Sequence, residues 1–195
     1  MRLLLLRHGR TTAAPGTYVG TRVDVGLDDH GRAQAAEAGA VLRGRRFAAV
    51  LCSPLRRARE TAAIAVPEAR PRIDDRLQEL DWGDLTGLSW AEVEARHPGA
   101  AAEWTRSGWP TPPNGEDPRE LWRRASAAAL DVCAEFPDGD VLVVCHGGVM
   151  RALLGAARGR ALADAWRITV PHCGLRVQRA TPLAVTRWRG VIEVP

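Results

Sequence analysis

Two short apolar runs, one near each end of the chain, finish in the same way. Leu3-Leu4-Leu5-Leu6 leads into Arg7-His8-Gly9, and Val141-Leu142-Val143-Val144 leads into Cys145-His146-Gly147-Gly148. A brief apolar run stopped by glycine reads as a buried strand entering a turn. Residues 47–52 read as another such strand, and helical segments fill the intervals between the strands. Asp28 or Asp29 can cap a helix reaching about Arg43. Ser53-Pro54 is expected to open a helix through about Val66, with Ser53 as its cap and Pro54 in its first turn. Residues 89–97 suit a short helix capped by Ser89, residues 119–136 an amphipathic one, and a further helix runs from about Val149 to Ala157. Residues 174–179 and 183–189 read as weaker strands, an edge pair. Strands alternating with helices predict a layered α/β fold with a largely parallel sheet. The expected organisation is one domain over residues 1–195 with a lid-like insertion around 80–118. The Pro- and Gly-rich part of that insertion, 98–118, carries Trp104 and Trp109 and is too long for a plain connection.

Parallel strands bring their C-terminal ends to one edge of the sheet, where ligands bind and helix N-termini point. Two imidazoles, His8 and His146, would meet there. Glycine after each lets the backbone turn sharply and approach a ligand. The helix after Gly148 opens with unpaired N–H groups that suit an anion. Arg7 adds a planar donor matched to phosphate. The strand ending at Cys52 runs into Leu55-Arg56-Arg57-Ala58-Arg59, which puts guanidinium groups on the first turn of a helix at the same edge. Any one of these residues has an ordinary alternative as a core histidine or a surface ion pair. Three strand ends converging with His, Arg and Gly favour an anion site.

Composition narrows the chemistry. All 27 basic side chains are arginine, so a Schiff base, a pyridoxal anchor and a lysine of the Walker type are excluded. The net charge of +4 is spread along the chain, not gathered into a basic stripe, which argues against nucleic acid and suits a small anion. Cys52, Cys133, Cys145 and Cys173 form no C-x-x-C pair, so zinc-ribbon spacing is missing and reduced thiols in a cytoplasm are expected. The run Leu3 to Leu6 is too short for a signal core or a membrane span.

At this point the chain resembles a known family. Leu5-Leu6-Arg7-His8-Gly9 is similar to the Arg-His-Gly signature of the histidine phosphatase superfamily, which includes the cofactor-dependent phosphoglycerate mutases. The likeness continues in order through Gly20-x-x-x-Asp24-x-x-Leu27-x-x-x-Gly31-x-x-Gln34-Ala35 and Ser53-Pro54-Leu55-x-Arg57-Ala58-x-x-Thr61-Ala62. It ends with Leu77-x-Glu79-x-x-x-Gly83-x-x-x-Gly87 and Val144-x-His146-Gly147-Gly148-x-x-Arg151. The resemblance implies a three-layer α/β/α fold with a mixed, mostly parallel sheet. It implies that His8 is a nucleophile forming a phosphohistidine. Arg7, Arg57 and His146 would hold the phosphoryl oxygens, and Gly9 and Gly147 would let backbone donors approach. Glu79 would protonate the leaving alkoxide and then assist water, although Asp81 and Asp84 lie close in sequence. Neither a metal nor a cofactor is implied, and a homodimer fits the family. The Gly16-x-Tyr18-x-Gly20 loop looks like that of the α-ribazole phosphatase branch and places Tyr18 among the substrate-binding residues.

The chain departs from the family pattern at two positions. Arg10 stands where Glu usually follows Arg-His-Gly, and Ala14 where a pocket Asn is frequent. Losing that amide removes one phosphate hydrogen bond, and Arg10 is expected to favour a substrate with an extra acidic group. The leading expectation is a phosphomonoesterase acting on a small phosphorylated metabolite. A phosphoglycerate-type mutase is disfavoured, because no large insertion follows Glu79 to close the pocket. A phosphate-binding module with lost turnover is the reading from another class, and intact His8, Arg57, Glu79 and His146 argue against it. His30, His97 and His172 carry no motif and read as structural or surface residues.

Overall fold

The computed structural model describes residues 1–100, 102 and 111–193. Its sheet has five strands: β1 (Arg2–Arg7), β2 (Ala49–Cys52), β3 (Arg72–Ile73), β4 (Asp140–Cys145) and β5 (Leu175–Arg179). They lie in the order β3-β2-β4-β1-β5. All neighbours are parallel except β5, which pairs antiparallel with β1 along the edge. The sheet is therefore mixed and mostly parallel.

Alternation along β1 explains the layers. Leu3 and Leu5 join one core with Leu121, Ala125, Val149, Leu153 and Trp188, while Leu4 and Leu6 join the other with Ala38, Leu42, Ala58 and Ala62. A strand apolar at successive positions can be stable only when helices cover both faces. On one side these are α1 (Asp29–Leu42) and α2 (Arg56–Ala65). On the other are α4 (Pro118–Glu135), α5 (Gly147–Ala157) and α7 (Pro182–Glu193), with the short α3 (Trp90–Arg96) and α6 (Leu162–Trp166) nearer the rim. Asp28 caps α1 by accepting from the Gly31 amide at 2.7 Å. Ser89 and Glu92 form a capping box on α3.

Two expectations need correction. Residues 183–189 are part of helix α7, not a strand. The segment is rich in Val, Thr and Trp, but tertiary packing overrides that β-leaning composition. Trp188 is fully buried between helices and its indole N–H donates to the Leu153 carbonyl at 3.1 Å. The second correction concerns α2, which begins at Arg56 with Leu55 at its cap position and no side-chain cap bond. Ser53 accepts from the Leu55 amide at 3.3 Å and turns its hydroxyl towards His146. Of the expected lid, Trp104 and Trp109 lie outside the described residues. The parts on either side of them include a 3-10 turn at Gly83–Leu85 and helix α3.

Candidate active site

The parallel register sets the site. Arg7 is opposite Cys145, and Cys52 is opposite Val144, so β1, β2 and β4 end together. Backbone bonds continue past the strand ends: the His8 amide donates to the Cys145 carbonyl at 2.9 Å and the Ser53 amide to the Val144 carbonyl at 3.0 Å. His8 and His146 therefore face each other, with ring centroids 5.1 Å apart. A cleft of about 1050 Å³ opens at this edge. Arg7, His8, Arg57, Glu79 and Arg151 line its floor and walls, together with Arg10, Tyr18 and His172.

The tautomer of His8 follows from its partner. Nδ1 lies 2.8 Å from the carbonyl oxygen of Gly9, which can only accept. The ring hydrogen is therefore on Nδ1, and the neutral ring keeps a lone pair on Nε2. Burial, then the charges of Arg57 and Arg7, hold the pKa of His8 well below the ordinary histidine value. His8 is thus neutral and nucleophilic at neutral pH. Burial and the Arg57 charge do the same to His146, which is fully buried behind His8.

Three guanidinium groups surround the histidines, and each is fixed by a backbone carbonyl. Arg7 donates to the Val170 carbonyl at 2.7 Å, Arg57 to Gly20 at 2.7 Å and Arg151 to Ile168 at 3.0 Å. Among the described residues none of the three has a carboxylate within ion-pair distance, and Arg7 Nε and one terminal nitrogen of Arg57 are buried without a partner. Burial lowers the pKa of all three. Unpaired buried cations with spare donors are costly unless an anion completes them. The loop over residues 10–27 is shaped around this need. Gly20 has a positive φ of 59°, a conformation open to glycine, and its carbonyl receives Arg57.

Glu79 is the carboxylate of the cleft, and its charge acts on Arg7, Arg57 and Arg151. The Gly148 amide donates to its Oε2 at 3.1 Å and the Leu80 amide to its Oε1 at 3.0 Å. Its backbone is held by Arg124 of α4, whose guanidinium donates to the carbonyls of Arg76, Gln78 and Glu79. The same side chain pairs with Glu116 at 2.7 Å.

The remaining sequence candidates fall on the rim or behind it. Gly9 packs tightly against α1, because a Cβ there would lie 2.5 Å from the Gly31 carbonyl oxygen, and its amide is engaged by Thr61 at 3.0 Å. Gly147 opens α5 beside Arg151 and Arg7. Arg10 is half-exposed at the mouth and tied to Asp28 at 2.6 Å. Tyr18 packs tilted against Trp82 with centroids 4.5 Å apart and, with Trp90, makes an aromatic wall. Asp81 and Asp84 are engaged at the surface by Arg22 and Asn114.

Four residues have a place in or behind the site to which the sequence assigned no such role. His172 forms part of the wall, its ring 5.4 Å from that of His8. Trp166 lies under the Arg151 guanidinium at 5.5 Å. Arg151 itself had a signal: it stands one helical turn after Gly147, which puts both on one face of α5. Ser53 read as a helix cap, a role it does not perform.

A neutral histidine, three guanidinium groups without an ion-pair partner among the described residues and a carboxylate in the same cleft, gathered at the ends of parallel strands, make a site suited to an anionic group. The family model of the histidine phosphatase superfamily (branch 1) matches residues 3–184. The chain belongs to that superfamily and is a hydrolase of its kind. It is 34% identical over 166 residues to glucosyl-3-phosphoglycerate phosphatase of Mycobacterium tuberculosis, covering 80% of this chain and 74% of that protein. A solved structure of a mycobacterial enzyme of that name superposes with a TM-score of 0.81 at 30% identity over 90% of this chain and 88% of the other. An acid phosphatase of the same species is 32% identical across 90% of this chain and 85% of its own length. A putative α-ribazole-5'-P phosphatase from Escherichia coli superposes with a TM-score of 0.80 at 27% identity, covering 91% and 89% of the two chains.

Proposed function

We propose that this protein hydrolyses small phosphate monoesters through a phosphohistidine at His8. The observation that carries this reading is the hydrogen bond from Nδ1 of His8 to the Gly9 carbonyl, which leaves the Nε2 lone pair for phosphorus. In the first step Nε2 forms a bond to phosphorus while the ester P–O bond breaks. The leaving alkoxide takes a proton from Glu79. In the second step water loses a proton to Glu79 and attacks the phosphohistidine, releasing phosphate and restoring the imidazole. Arg7, Arg57 and the His146 ring meet the equatorial oxygens, and the cluster of fixed cations supplies the charge stabilisation that a metal supplies in other phosphatases.

The aromatic wall of Tyr18, Trp82 and Trp90 gives the leaving group an apolar face, which suits a metabolite carrying a ring or chain. The relatives named as phosphatases support hydrolysis. Four free cysteines, two of them buried, support a cytoplasmic setting. Among the described residues no helix is long and apolar enough to cross a membrane. The test is phosphate release from p-nitrophenyl phosphate in EDTA, comparing wild type with His8→Ala. Activity that survives EDTA and vanishes in His8→Ala is expected. Activity that survives His8→Ala, or that EDTA abolishes, overturns the mechanism.

A further inference from the structure

The side chain of Ser53 is wholly buried at the end of β2, and two groups reach its hydroxyl. The Leu55 amide donates to Oγ at 3.3 Å, and Nε2 of His146 stands 2.7 Å away. A hydroxyl has one hydrogen to give. With the Leu55 amide donating, that hydrogen needs an acceptor, and among the described residues Nε2 of His146 is the acceptor that lies within reach. Were Nε2 to donate instead, the hydroxyl hydrogen would be stranded in a dry interior. The neutral ring of His146 therefore carries its own hydrogen on Nδ1. That nitrogen is buried and has no partner in the protein.

The pairing is built into the fold. The Ser53 amide bonds to the Val144 carbonyl, two residues before His146, so the hydroxyl and the ring are set by the register of β2 against β4. The cost of leaving an N–H idle in the interior is met when an acceptor arrives beside His8, whose ring is 5.1 Å from that of His146. A phosphoryl oxygen on Nε2 of His8 is such an acceptor.

We propose that Ser53 is a positioning residue, which donates to Nε2 of His146, fixes the Nδ1–H tautomer, and so keeps a neutral hydrogen-bond donor aimed at the phosphoryl group. The inference rests on the phosphohistidine reading above. In the opposite tautomer the Nδ1 lone pair would face a phosphoryl oxygen and repel it. Ser53 touches no substrate in this scheme and acts through the ring.

Two-bond proton–nitrogen correlation spectra of the full chain labelled with [15N]histidine test this directly. The chain has five histidines, so the His146 signals are assigned by their loss in His146→Gln. The wild-type ring at neutral pH is expected to be neutral with its hydrogen on Nδ1. Ser53→Ala is expected to move population to the Nε2–H form and to lower kcat for p-nitrophenyl phosphate roughly tenfold to hundredfold, at or below the effect of deleting an oxyanion donor. KM is expected to change much less. Ser53→Thr, which keeps the hydroxyl, is expected to restore both tautomer and kcat. A wild-type ring with its hydrogen on Nε2 overturns the proposal, and so does a Ser53→Ala protein whose tautomer and kcat are unchanged. The wild-type spectrum needs no variant, so it decides the matter even if Ser53→Ala does not fold. If the wild type releases phosphate from no monoester, the phosphatase reading fails on its own, while the spectra still report whether Ser53 sets the ring.

Discussion

The Gly148 amide donates to Oε2 of Glu79 at 3.1 Å, so the carboxylate is anchored on the first turn of helix α5, directly after His146. The two segments are far apart in the chain, yet one bond sets their spacing. A Cβ at position 148 would overlap the Glu79 carboxylate. Gly148→Ala is therefore expected to displace Glu79 and reduce kcat by roughly a hundredfold, within the range for general acid–base catalysis. Phosphate binding, measured by calorimetry, should change little. Unchanged kcat would show that the carboxylate need not sit there.

Arg57 is fully buried, donates to Gly20 and keeps a second terminal nitrogen free. An ammonium group cannot reproduce that fork. Arg57→Lys is expected to lower kcat/KM at least tenfold in steady-state assays, despite conserving charge. Near-wild-type activity would mean that charge alone matters.

Arg151 has no ion-pair partner among the described residues, whereas Asp28 already holds Arg10. A phosphate dianion does not exhaust three guanidinium groups, so Arg151 is the better partner for an extra acidic group on a substrate. Arg151→Met should raise KM more for carboxylate-bearing phosphomonoesters than for p-nitrophenyl phosphate. Arg10→Ala should have the smaller effect. The reverse order would return the role to Arg10.

Arg124 satisfies three carbonyls of the segment that presents Glu79. Hydrogen bonds to a charged group contribute more than neutral ones, so Arg124→Met is expected to destabilise the fold by about 2 kcal/mol or more. Urea denaturation would show it as a lower midpoint, and kcat should fall with it. A variant as stable as wild type would leave the segment supported by other contacts.

Acid should weaken the fold through its histidines. Burial, followed by the Arg7 charge, pushes His172 down to about 4, and His8 and His146 lie well below their ordinary value. The unfolded chain takes up protons on these rings near pH ~6.5, while the folded protein does not until lower pH. Stability contributed by the neutral rings is therefore complete above pH ~6.5 and declines as pH falls through the window, for His172 down to about 4. Thermal melts from pH 7.5 to pH 5 should show a falling Tm, with a smaller slope in His172→Gln. Because His8 stays neutral, kcat/KM should not drop at pH ~6.5 as it would for an ordinary histidine nucleophile.

Much of this was legible in the residues. Apolar runs ending in His-Gly located β1 and β4, and the apolar run 47–52 placed the third strand end at Cys52. What was hidden depended on long-range contacts. The exposed pair Arg72–Ile73 becomes a strand because it lies beside β2, with no pattern of its own. Trp188 draws a β-leaning segment into a helix by burying its indole. His172 enters the site through backbone geometry: the next residue, Cys173, has a positive φ of 51° and its amide bonds to the His8 carbonyl at 3.2 Å. No local signal announces such a turn.

Strand β1 leads directly into His8, yet both of its sheet neighbours, β4 and β5, come from residues 140–179. During synthesis this strand must wait, its four central leucines unpaired, while most of the chain is made. Contacts this distant in sequence form slowly. A ribosome-bound fragment lacking residues beyond 139 would therefore hold His8 at the end of a strand with neither neighbour, leaving a sticky segment that invites chaperone capture. The arrangement that makes the site rigid once complete also makes it arrive all at once, late in folding.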